Sequence, residues 1–136
     1  MRRFGLAIAL SLLVPGCSAG RDMEAAQAEV AHFHQQLDGG RFAEIYAAAG
    51  SEIRKDMDQV RFTAFLDAVH TRLGTVRQST IRSWNVNYGT GGNFVTLIYD
   101  TQLSHGRGEE TFVYRTAGGK TQLAGYHIKS NDWVLN

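Results

Sequence analysis

Five histidines, five tyrosines, a single cysteine and an aspartate set in a strand-like run are the residues of this 136-residue chain whose types could do chemistry. Histidine suggests metal ligation or general base catalysis. His32 and His34 stand two apart on a predicted helix, roughly 200° around its axis, so they cannot converge on one ion. His34 borders an apolar stripe and His32 faces away from it. His70, His105 and His127 fall on three further elements, and with one cysteine no ligand cluster has metal spacing, so neither a metal nor a cofactor is expected. Acid–base chemistry has a sharper candidate in Asp100. A carboxylate buried in an apolar pocket acts as a base while a tyrosine polarises a carbonyl, the device of isomerases and hydratases. Tyr46, Tyr88, Tyr99, Tyr114 and Tyr126 are the available partners. By strand alternation Asp100 lies opposite Val95, Leu97, Tyr99 and Leu103 and shares parity with Phe94 and Ile98, so its role turns on which face is concave. Nucleophilic catalysis has no Gly-x-Ser-x-Gly elbow to rest on. Gly89-Thr90-Gly91-Gly92 lacks the lysine and following helix of a phosphate loop and reads as a hairpin turn.

The cysteine belongs to a different chemistry. As the sole cysteine, Cys17 can form no intramolecular disulfide. It follows a basic pair, Arg2 and Arg3, and an apolar run from Phe4 to Val14, the layout of a secretion signal. As a helix that run would rise about 16 Å, half of a bilayer's hydrocarbon core, so it does not read as a membrane span. Val14-Pro15-Gly16-Cys17 resembles the lipobox of bacterial lipoproteins. The resemblance implies a diacylglyceryl group on the Cys17 thiol, cleavage just before it and, with Ser18 next, sorting to the outer membrane where a cell has two. Two or more acyl chains, at about 0.8 kcal/mol per buried methylene, make such an anchor stable. The expected organisation is a signal over 1–16, a lipidated tether over 17–23 and one domain over 24–136.

Removing the signal leaves 120 residues, enough for one domain with a real core. Loss of Arg2 and Arg3 leaves 12 basic against 13 acidic residues, so no basic surplus argues for nucleic acid or for electrostatic membrane binding.

The elements that must position these groups follow from hydrophobic period. Ala26, Val30, Phe33 and Leu37 draw one helical stripe, ended by Asp38-Gly39-Gly40. Phe42, Ile45, Tyr46 and Ala49 repeat the pattern more briefly, a charged segment covers 51–58, and Phe62, Phe65, Leu66, Val69 and Leu73 form a third helix with Asp58 as N-cap and Gly74 just past its end. After Gly74 the period switches to two. Arg82, Trp84, Val86 and Tyr88 alternate with Ile81, Ser83, Asn85 and Asn87, and further strands cover 93–103, 109–116 and 122–130. Three helices and then a meander of about four strands predict an α+β fold, with helices packed on one face of a curved antiparallel sheet.

This order resembles the nuclear transport factor 2-like, or cystatin-like, α+β cone. The segments 72–76 (RLGTV), 94–101 (FVTLIYDT), 110–114 (ETFVY) and 123–128 (LAGYHI) are similar to a family of small exported bacterial proteins catalogued as domain of unknown function 4019. The resemblance covers most of 24–130 and implies a fold without implying an activity, because cones of this kind serve many ends. Binding is the remaining class. A concave sheet could hold a small apolar ligand, or an outer surface could engage an envelope protein, with Trp84, Tyr88 and Trp133 as anchors. Trp84 is expected more readily in the core than at the surface. The expectation is a lipid-anchored, periplasm-facing accessory or binding module without catalysis, the alternative being a pocket enzyme using Asp100 and a tyrosine.

Overall fold

The computed structural model describes residues 18–133, so the signal, Cys17 and the last three residues lie outside the described part. Four helices precede four strands: α1 (Ser18–Asp38), α2 (Phe42–Ala48), α3 (Ser51–Asp56), α4 (Gln59–Leu73), β1 (Val76–Gly89), β2 (Gly92–Leu103), β3 (Gly106–Ala117) and β4 (Lys120–Lys129), with a final 3-10 turn over Asn131–Trp133. The sheet is a plain antiparallel meander in the order β1-β2-β3-β4, the α+β architecture expected from the switch in period.

The apolar stripe of α1 is the reason this helix docks. Ala26, Val30, Phe33 and Leu37 are all buried. The helix stops at Gly39–Gly40, where Arg41 N donates to Gln36 O (2.8 Å), Gly40 N donates to Leu37 O (3.1 Å) and Gly40 takes φ of 70°. These two bonds satisfy carbonyls that the helix end would leave open, and only glycine takes that φ without strain. At the other end α1 starts at Ser18, six residues before the expected domain boundary. Residues 18–23, expected as a tether, form its first turns, where Met23 packs on the core and Asp22 accepts from Asn93 Nδ2 at 2.9 Å.

The charged segment after α2 folds into the short helix α3, which periodicity did not reveal because only Ile53 of its residues is buried and apolar. An ion pair between Arg115 Nε and Glu52 Oε1 (2.6 Å) and the bond from Gly50 N to Leu123 O (2.8 Å) hold it to the sheet. The α4 expectations hold: Asp58 Oδ1 accepts from Arg61 N at 2.8 Å, and Phe62, Leu66, Val69 and Leu73 are buried. Val95, Leu97, Tyr99, Leu103, Phe112, Tyr114 and Leu123 complete the core from the sheet.

A bulge in β1 changes which side chains share a face. Ile81 stands opposite Tyr99 and Trp84 opposite Leu97, with a register shift between Ile81 and Ser83. Simple alternation grouped Arg82 with Trp84, Val86 and Tyr88; the extra residue instead places Ile81 on their side and sends Arg82 to the outer face. The turns at the end of the sheet meet expectation. Gly118 and Gly119 both take positive φ (57° and 75°) in the β3–β4 turn, matching the twist of the strands they join.

The sheet therefore has two distinct ends. The β1–β2 and β3–β4 turns lie beside the start of α1, where Arg21, Asn93 and Gly118–Lys120 border one small cleft. The β2–β3 turn lies at the opposite end with the end of α1, where Val76 N donates to Asp38 Oδ1 at 3.1 Å.

Candidate functional site

The chemistry that sequence assigned to Asp100 belongs to a different carboxylate. Asp100 stands opposite Thr80 and Glu109 on the outer face, 60% exposed at its side chain, and pairs with Arg82 Nη1 at 3.2 Å. Glu109 binds the same guanidinium through Nη2. Asp100 is thus a solvated surface residue, because the core-facing residues of β2 are the other set, Val95, Leu97 and Tyr99.

Glu110 is the buried acid, with 0% of its surface exposed. It shares a face with Phe112 and Tyr114 in β3, and Tyr99 and Ile128 flank it across the sheet. Its Oε1 accepts from Thr101 Oγ1 (2.6 Å) and pairs with His34 Nε2 (2.8 Å); its Oε2 accepts from the Tyr126 hydroxyl (2.7 Å). Four elements meet at this point: α1 brings His34, β2 Thr101, β3 Glu110 and β4 Tyr126.

Aromatic rings wall the group. Tyr126 lies 4.7 Å from Phe33 and 5.0 Å from Phe112 between ring centroids, and His34 lies 5.7 Å from Phe112 in an edge-on contact. Burial alone would raise the Glu110 carboxyl, but the hydrogen bond and charge of His34, with the hydroxyls of Thr101 and Tyr126, hold it below the ordinary carboxylate value. Burial and the adjoining Glu110 charge push Tyr126 well above its usual range, and burial does the same to Tyr114. Glu110 is therefore ionised at neutral pH and Tyr126 keeps its proton.

Those states suit a structural pair better than an acid–base site. A general base must reach a substrate proton within hydrogen-bond distance, yet both Glu110 oxygens are engaged and rings close around them. Two of the clefts on the described surface bear on this point. One lies on the outer face among Gln78, Asp100, Arg107, Glu109, Lys129 and Asp132, and the other beside the start of α1. Of the quartet around Glu110 only Thr101 borders either of them.

The remaining candidates scatter. His32 is exposed near Glu29, His105 sits in the β2–β3 turn, His127 is exposed on β4, and His70 packs edge-on against Phe42 with a buried Nδ1 that has no hydrogen-bond partner. Among the described residues no group of three or more His, Cys, Asp or Glu side chains could hold a metal ion. Tyr46 donates its hydroxyl to Met57 O at 3.1 Å, a structural contact between α2 and the residue that caps the end of α3.

Trp84 corrects the expectation that it fills the core: it is 47% exposed, and Tyr88 is 62% exposed. Both lie on the core-side face, opposite Leu97 and Asn93, on the edge strand of the sheet. Trp133 falls in the last 3-10 turn, and its side chain lies outside the described positions.

Glu110 had a legible signal. It alternates with Phe112 and Tyr114, so their assignment to one face places Glu110 there too. Cys17 and the lipobox lie outside the described residues, and among those described no helix is long and apolar enough to cross a membrane. Comparison with protein-family models and with curated proteins finds no match for this chain.

Proposed function

We propose that this chain is a bacterial lipoprotein, held on the periplasmic side of the outer membrane by lipid on Cys17, whose cone domain is a non-catalytic binding or accessory module. The lipobox-like Val14-Pro15-Gly16-Cys17 supports the anchor. The similarity to the family catalogued as domain of unknown function 4019 belongs to the same reading. One observation carries the non-catalytic part: the place where a cone of this shape would keep a substrate is filled by Phe33, Phe112 and Tyr126 around a Glu110 whose oxygens are already bonded. A small apolar ligand inside the cone fits this poorly. The exposed aromatics of β1 support binding at the surface instead.

The test is entry of an apolar dye into the native domain. Anilinonaphthalene sulfonate should stay dim at neutral pH and brighten only as acid loosens the fold. Bright, saturable fluorescence from the native protein, abolished by Phe112→Trp, would show an open chamber and restore the pocket-enzyme alternative with Glu110, not Asp100, as its carboxylate.

A further inference from the structure

We infer that the end of the domain carrying the start of α1 and the β1–β2 turn rests on the lipid surface, with Tyr88 as its interfacial contact. This rests on the anchor proposed above and adds an orientation to it.

The first observation is the missing spacer. α1 begins at Ser18, the residue after the proposed acylation site, and its early turns are fastened to the sheet by the Asp22–Asn93 bond and by Met23 on the core. A lipoprotein with a flexible tether lets its domain tumble away from the bilayer. Here the described chain is helical from Ser18 onward, so among the described residues no irregular run lies between the proposed lipid site and the folded body. An acyl group there brings the α1 end to the headgroups, and contact becomes an intramolecular event in which a weak preference is enough to be populated.

The second observation is what that end presents. Tyr88 is the last residue before Gly89 of the β1–β2 turn, pairs across the strands with Asn93, and is 62% exposed. Asn93 is the residue that binds Asp22 of α1, so Tyr88 and the anchor end of the helix are neighbours. A tyrosine with an apolar ring and a polar tip suits the headgroup level. The turn beside it, Thr90–Gly91, is exposed and uncharged. Trp84 lies on the same face four residues back, about 13 Å along the strand, so it meets headgroups only if the sheet tilts.

Charge makes a small contribution. Arg21 and Lys120 are exposed at this end, but Asp22 and Glu24 offset them. Anionic lipid is therefore not required, and the contact should vary little with salt. A protein partner on Tyr88 is the competing occupant. The missing spacer favours lipid, since the bilayer is the surface that the anchor brings to this end.

The test uses the full chain, processed in cells and reconstituted in vesicles of phosphatidylethanolamine and phosphatidylglycerol brominated high on the acyl chain. Tyr88→Trp and, separately, His105→Trp are read in a Trp84→Phe, Trp133→Phe background, position 105 being in the turn at the opposite end. The expected result is several-fold stronger bromine quenching at position 88 than at 105, unchanged by salt. Hydrogen exchange on the unsubstituted protein supplies a check free of folding effects: vesicles should slow the amides of Thr90 and Gly91 and leave those of Ser104 and His105 alone. Intact mass on the same samples separates the two failures. A protein without acyl mass overturns the anchor and the orientation together. An acylated protein with equal, weak quenching at both positions overturns the orientation alone. Slowing that appears in whole envelopes but not in vesicles assigns the tip to a protein and also overturns it.

Discussion

Replacing Glu110 by glutamine keeps the shape of the side chain and removes its charge, so it isolates what the buried carboxylate does. Three groups bond to it, through Thr101 Oγ1, His34 Nε2 and the Tyr126 hydroxyl. Hydrogen bonds to a charged group contribute about 1.5–3 kcal/mol each and neutral ones about 0.5–1.5, so losing the charge weakens the three by about 3 kcal/mol in all. Relief from burying a charge offsets part of that, leaving a net loss of about 2 kcal/mol at neutral pH. With a urea slope of about 1–3 kcal/mol per molar, the midpoint should fall by about 1 M. The pH dependence has a definite sign. Glu110 titrates below its ordinary value in the fold, so its stabilisation is fully present above the unfolded-chain value and disappears as pH falls through the lower folded one. Urea titrations of wild type and Glu110→Gln at pH 7 and pH 3 should therefore show a gap that narrows on acidification, since protonated Glu110 resembles the amide. A gap equally wide at both pH values, or a variant as stable as wild type at pH 7, would refute the reasoning. A variant more stable than wild type would mean that the carboxylate is kept at a cost to the fold, and would reopen a functional role for it.

Two other substitutions probe separate parts of the structure. Tyr126→Phe deletes the only bond to Glu110 Oε2 among the described residues and should cost about 1.5–3 kcal/mol in urea, moving the acid transition to higher pH because the carboxylate loses a donor. An unchanged acid transition would show that the hydroxyl does not hold the charge. Gly74→Ala places a Cβ against Ser104 Oγ at a backbone position with φ of 82° and ψ of −152°, a region essentially confined to glycine. It should cost about 1–3 kcal/mol and lower the melting temperature by several degrees, and a melt identical to wild type would contradict the close approach.

Period and punctuation made most of the architecture legible. The α1 stripe, the Asp58 cap, the glycine turns and the four strands all follow from local rules, and each holds because burial and capping act over a few residues. What local rules miss is what a bulge or an edge position decides. One extra residue in β1 reverses the grouping of Ile81 and Arg82, and Trp84, expected in the core as a large aromatic, is exposed on the edge strand. The short α3 escaped notice because a six-residue segment with one buried side chain has no readable period. Residues 18–23 read as a tether because they are polar and small, and only the Asp22–Asn93 bond and Met23 show that they dock as the first turns of α1. Asp100 drew attention as a lone acid among apolar neighbours in a strand. Glu110 was the better candidate on parity alone, and its three partners come from segments 9 to 76 residues away, distances at which sequence carries no signal.

The central claim, that the domain is held at a membrane by lipid on Cys17, has a direct measurement: intact mass and membrane partitioning of the cell-processed protein beside Cys17→Ser. The account predicts an acylated wild type that begins at Cys17 and stays with membranes, and a variant that carries no acyl mass and leaves them. A wild type that is unacylated, cut elsewhere and free in the periplasm would contradict it.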